Sequence, residues 1–142
     1  MQTFLPYPDF QKSAETLDRK RLGKQRLEAW QIYMTLTRGS GWRHHPAVKM
    51  WKGFEWQLLQ YAMCMCQEWI RRGYKSTLHL KIEQEMNTFE YGKAMIGMPS
   101  WYGNELFHRS HRSNLSRKDP EHYSKYWTEP DNLPYYWPNE DL

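Results

Sequence analysis

Residues 17–36 read LDRKRLGKQRLEAWQIYMTL. Asp18 offers the side-chain oxygen that an N-cap needs, and from there Leu22, Ala29, Ile32, Tyr33 and Leu36 fall near one stripe of a 3.6-residue helix. The spacing predicts a helix over 19–36 that buries one side, ended by the Gly39-Ser40-Gly41 break. Arg21, Lys24, Gln25 and Glu28 share a neighbouring face, so a single carboxylate sits among cations beside the core stripe.

Helical signals continue on either side. Asp9 or Ser13 can cap a short first helix, and Pro46 suits the first turn of a third that runs to Arg72 and stops at Gly73. That third helix would be the spine, roughly 40 Å long at 1.5 Å per residue. It carries Val48, Trp51, Leu58, Leu59, Ala62, Met65, Cys66 and Trp69, with Gly53 as a point of bending. From 74 to 103 the periodicity weakens, IEQEM giving a turn of helix and GMPSWYG a loop. Further helices are expected over 106–117 and 120–126. Strand signals are nearly absent, which predicts an all-α fold: a compact domain of three main helices plus short ones over 1–128. The stretch 129–142, EPDNLPYYWPNEDL, is acidic and rich in proline and aromatics, and is expected as an extended tail on the surface.

The composition fits this reading. A chain of 142 residues with 39% hydrophobic and 16% aromatic content can enclose one core, although its mean hydropathy is −0.97. No apolar run approaches the length of a membrane span, and MQTFLPYPDF lacks the order of a signal peptide. The two cysteines, Cys64 and Cys66, cannot make a secreted disulfide framework. A soluble protein of the cytoplasm is the expectation, acting as a monomer in a bacterial or phage-infected cell.

Charge is unevenly placed. Residues 119–142 hold six acids against Lys125, a net of −5, so the +4 chain carries +9 over 1–118. Two stretches concentrate it: Lys12, Arg19, Lys20, Arg21, Lys24 and Arg26, then Arg109, Arg112, Arg117 and Lys118. Such density points to a polyanion, and the alternative is a set of solvated helix faces.

For chemistry, Glu28 is the first candidate. An ordinary ion pair with Lys24 would leave it structural, whereas a carboxylate facing bound DNA could stabilise positive charge developing on a sugar. His44 and His45 precede the third helix and suit phosphate contact or helix capping, and His108 and His111 lie three apart on a later one. Metal binding finds little support, because no HExxH or paired CxxC completes a ligand set. Cys64 and Cys66 point to different sides of a helix and read as buried thiols. The absence of GxSxG, GxxxxGK[ST] and GxGxxG leaves serine hydrolases, P-loop enzymes and dinucleotide enzymes without support.

LDRKRLGKQRLEA (17–29), the helix ending EWIRRGY (68–74) and the late basic helix followed by YSKYW (123–127) together resemble the phage and bacterial pyrimidine-dimer DNA glycosylases of the endonuclease V type. The resemblance runs over residues 1–127 by order and spacing of elements. Leu22 and Glu28 align with the leucine and catalytic glutamate of that family. It implies a DNA repair enzyme on double-stranded DNA that needs no metal or other cofactor. It also implies a glycosylase with abasic-site lyase activity, in which the N-terminal α-amine attacks the sugar C1′, forms a Schiff base and cuts the strand by β-elimination. An α-amine suits this, since its ordinary pKa of about 7.7–8.0 leaves a neutral fraction at physiological pH. Glu28 would stabilise the cationic sugar and relay protons. Arg21, Arg26 and Arg117 would clamp phosphates, and Tyr126 and Trp127 match the family's aromatic segment near the lesion.

Three departures shape the expectations. Residue 2 is Gln, too large for ordinary removal of the initiator, so Met1 is expected to remain and supply the amine; a freed Gln2 would tend to cyclise. Leu27 stands where the family has an arginine beside the glutamate, with Arg26 one position earlier. The acidic tail exceeds the family pattern, and covers part of the surface or mimics phosphates. The competing readings are a non-catalytic DNA-binding module on the same scaffold and a helical adaptor for an acidic protein.

Overall fold

The computed structural model describes residues 1–39 and 41–138, and among them the fold is all-helical with no strand. Asp9 caps α1 (Phe10–Thr16) by accepting the Lys12 N–H at 2.8 Å, and Asp18 caps α2 (Arg19–Arg38) by accepting that of Arg21. The expected core stripe of α2 faces inward, with Leu22, Ala29, Ile32 and Tyr33 buried and Leu36 partly so.

The third helix is not continuous. The chain makes α3 (Pro46–Lys49), turns through 50–54, and resumes as α4 (Glu55–Arg71). Gly53 adopts φ 89°, a left-handed conformation that a helix interior excludes and a residue with a Cβ resists. The break lets Trp51 enter the core, where its ring meets Phe10, Tyr61 and Trp101. α4 is the spine all the same, packing on α1, α2 and α5 (Leu78–Met86). Gly23 on α2 is needed for that packing, because a Cβ there would lie 3.0 Å from the Trp69 ring of α4.

The weakly periodic region 74–103 contains α5, at nine residues longer than the single turn expected, and the short α6 (Tyr91–Ala94). α7 (Glu105–Lys118) and α8 (Pro120–Tyr123) follow, α8 ending three residues sooner than expected. The inward face of α7 is polar, with His108, Ser110, His111, Ser113 and Asn114 all buried. Its partners are two extended segments that have no strand to pair with. The Leu5 N–H donates to His111 Nδ1 at 2.9 Å, and His108 Nδ1 lies 2.8 Å from the Leu5 carbonyl. Ser113 Oγ accepts the Leu133 N–H, Asn114 Nδ2 donates to the Leu133 carbonyl, and Ser110 Oγ accepts the Tyr136 N–H. Residues 129–138 therefore lie along α7; the rest of the tail, 139–142, lies outside the described residues.

The remainder of the N-terminal segment is held in the same way. Phe4 N–H donates to Gln25 Oε1, the Tyr61 hydroxyl stands 2.8 Å from the Phe4 carbonyl, Trp51 Nε1 donates to Thr3 Oγ1, and Arg112 reaches the Pro6 carbonyl. Residues 2–6 are buried throughout.

Burial holds both histidines of α7 in the neutral form, His111 furthest, at a pKa of about 3 through burial and then the nearby His108. An unfolded chain takes up those protons below about pH 6.5 while the folded one does not, so stability falls as pH falls. The expected loss between pH 6.5 and 4.5 is about 2–3 kcal/mol. Urea unfolding midpoints across that range test it, and His111→Gln should flatten most of the slope.

Candidate functional site

Glu28 lies half-buried on α2, one turn after Lys24, yet among the described residues it forms no ion pair with Lys24. Its Oε2 instead accepts two hydrogen bonds, from the backbone N–H of Gln2 at 3.2 Å and from Gln25 Nε2 at 3.1 Å. The same Gln25 takes the Phe4 N–H on its oxygen, which also stands 2.8 Å from the Tyr61 hydroxyl. One buried carboxamide thus fixes both the course of the N-terminal segment and the rotamer of the carboxylate.

Glu28, Gln2 and Met1 line a common cavity of about 340 Å³. Its walls bring Lys20, Arg21 and Lys24 of α2 opposite Lys118 at the end of α7, with Tyr135 of the tail closing one side. No ion pair joins the Met1 amine to Glu28 among the described residues, so the two are separated within the one cavity. The amine makes itself felt at His45: burial first, and then the positive N-terminus, push that imidazole down. His45 Nδ1 accepts the Ala47 N–H and so caps α3. Lys118 is lowered by burial and then by Arg21, Arg117 and Lys24, a concentration of positive charge that an anion would relieve. Arg21 is oriented by Asp18 at 3.1 Å. Although burial pushes the Asp18 carboxyl up, the Tyr123 hydroxyl and Arg21 hold it below the usual carboxylate range.

The other basic candidates are dispersed. Arg117, outside the cavity lining, donates to Asn114 Oδ1 and the Asp131 carbonyl, while Arg19 lies over the Tyr74 ring. Arg26 points away from Glu28, bonding Ser76 at 3.0 Å and covering the Trp69 ring at 4.8 Å. Arg109 and Arg112 are engaged by Glu129 of the tail, and Arg112 also by Glu105. Tyr126 is exposed, and Trp127 stacks on Tyr123 with its indole N–H on Ser116, outside the cavity lining. His44 sits on a separate groove with Arg43 and Lys49. Burial raises both thiols, that of Cys66 to about 11, which leaves them inert. Among the described residues no three His, Cys, Asp or Glu gather as a metal site.

Gln25 and Tyr135 are the participants that spacing did not single out. Gln25 shares the face of Arg21, Lys24 and Glu28, but its link to Phe4 is visible only in three dimensions. Nothing in the tail's composition marks Tyr135 over its aromatic neighbours.

A family model described as pyrimidine dimer DNA glycosylase matches residues 1–82, more than half of the chain. The chain belongs to that family. The matched stretch contains Met1, Gln2, Gln25 and Glu28, while Lys118 and Tyr135 of the same cavity lie beyond it. No curated protein and no solved structure gives a match. A pyrimidine dimer DNA glycosylase acts on DNA, and a cationic cavity with one fixed carboxylate suits that polyanion. Among the described residues no helix is long and apolar enough to cross a membrane.

Gln25→Leu should leave the buried Phe4 N–H without an acceptor and free the Glu28 side chain. The expected cost is about 1–3 kcal/mol in urea unfolding, together with a loss of glycosylase turnover greater than that of an equally destabilising core variant such as Ile32→Val.

Proposed function

We propose that this chain excises pyrimidine dimers from double-stranded DNA and cuts the strand at the resulting abasic site, with the Met1 α-amine as nucleophile and Glu28 as the carboxylate beside it. The observation that carries the reading is the bond from the Gln2 N–H to Glu28, which ties the residue next to the amine to the acid inside one cationic cavity.

The steps follow from that geometry. The neutral amine donates its lone pair to C1′ as the glycosidic bond breaks; the freed base takes up a proton from the resulting ammonium and stays joined to its neighbour through the cyclobutane ring. The sugar ring then opens at O4′, which takes up a proton from water, and the protonated imine so formed carries its positive charge near the Glu28 carboxylate. Removal of a C2′ proton then expels the 3′ phosphate by β-elimination. Glu28 Oε2 is occupied by Gln2 and Gln25, and among the described residues Oε1 accepts no hydrogen bond, which leaves it for proton transfer. Lys20, Arg21, Lys24 and Lys118 are placed to hold flanking phosphates.

Retention of Met1 belongs to this reading because Gln2 is too large a second residue for ordinary removal of the initiator. Met1 is half-buried and packs against the core, and Gln2 behind it is buried with its side-chain oxygen on the Thr3 N–H at 2.9 Å. Intact mass should show the chain with Met1; a chain beginning with pyroglutamate would remove the nucleophile and overturn this part of the reading.

The decisive experiment is borohydride trapping of untagged protein on duplexes carrying an abasic site or a thymine dimer, with mass spectrometry of the adduct. A covalent product at the Met1 amine is expected on both, falling at least 100-fold in rate in Glu28→Gln. A free amine that yields no adduct on either substrate would leave a binding module instead.

A further inference from the structure

The catalytic cavity is one end of a longer trough. Met1 also lines a mostly apolar groove of about 430 Å³ whose walls include Trp30, Met34 and Trp42. That groove shares Thr35 and Gly39 with a third and larger one of about 690 Å³, lined by Arg43, His44, Lys49 and Lys52. Cations therefore stand at both ends, Lys20, Lys24 and Lys118 beside Glu28, and Arg43, Lys49 and Lys52 beyond the tryptophans.

The distal cations differ from the arginines that the fold itself neutralises. Arg38, Arg71, Arg72, Arg109 and Arg112 are each held by a carboxylate. Lys49 and Lys52 are exposed and, among the described residues, pair with none; Arg43 Nε meets only His44, at 3.4 Å. Glu55 is the acid of this groove, and its Oε1 is taken by the Gly53 N–H. Three cations against one carboxylate leave the groove with an excess of positive charge, which an anion lying among them would relieve. A duplex that crosses a reactive centre emerges on both sides of it, and phosphate contacts on one side alone would leave it free to pivot about that centre.

We propose that Arg43, Lys49 and Lys52 form a second phosphate clamp, holding the duplex on the side of the amine opposite Lys20, Lys24 and Lys118. The inference rests on the function proposed above, in that the duplex is the substrate whose lesion lies in the catalytic cavity.

The test is a binding titration from 50 to 300 mM KCl on a 30-base-pair duplex with a central tetrahydrofuran abasic analogue, which reads affinity without chemistry. The triple variant Arg43→Ala, Lys49→Ala, Lys52→Ala is compared with Lys75→Ala, Lys81→Ala, Lys125→Ala, an equal loss of charge at residues lining none of the three grooves. Each lost phosphate contact reduces the log–log salt slope by about 0.9, so the clamp variant should be shallower than wild type by about two to three and bind at least about tenfold more weakly at 50 mM. The comparison variant should keep the wild-type slope and bind within about twofold of it. Equal changes in both triples, or none in the first, would overturn the clamp. Trapping by the wild type on a true abasic site is read separately, so a failure of the amine chemistry and a failure of the clamp give different results.

Discussion

Residues 2–6 run as extended chain through the interior, and because the described residues form no strand their peptide groups find none to pair with. Leaving such groups unpaired in a dry interior costs about 1–3 kcal/mol each, so the helices must supply side chains in place of a neighbouring strand. Gln25 and Glu28 of α2, Tyr61 of α4, and His108, His111 and Arg112 of α7 do so. The polar inner face of α7 and the uncharged state of its histidines follow from this one requirement. The position of the amine follows as well, since it is set by a segment bonded on every side.

Electrostatics divides the cations into two groups. One is neutralised by acids within the fold, as where Glu68 receives both Arg71 and Arg72, and Arg72 in turn closes the end of α1 by reaching the Leu17 carbonyl. The other faces the trough, where the lining carboxylates are Glu28 and Glu55. Backbone and amide donors hold Glu28 rather than Lys24. A carboxylate held by neutral dipoles keeps its full negative charge, whereas one paired to a lysine would share it.

Much of this was legible in sequence, and where it was not the reasons are physical. Asp18, the Leu22-to-Leu36 stripe and Gly73 mark their helices because caps and periodicity are local. Gly53 signalled a bend, but the full break at 50–54 depends on where Trp51 finds its pocket, which is a tertiary matter. Glu28 stood out as an acid among bases, and the family followed from the pattern around it. The pairing of Arg109 and Arg112 with Glu129 could not be read, because a basic run looks the same whether it meets solvent, DNA or its own tail. Arg26 and Arg21 likewise look equivalent five residues apart, and only the placement of α4 and Ser76 separates them.

The braces that set the amine join opposite ends of the chain. Leu5 meets His111 across 106 residues, Asp18 meets Tyr123 across 105, and Thr16 meets His122 across 106. Such distant contacts close last, after the entropy of a long loop has been overcome. During synthesis the basic helix α2 emerges early, while its counterparts on α7 and α8 are still unmade. The nascent chain can hold a formed, charged helix with its first residues unanchored, and gains an ordered N-terminus only when nearly all of its length has left the ribosome. Order of assembly therefore leaves Met1 and Glu28 unaligned until the fold around them is complete.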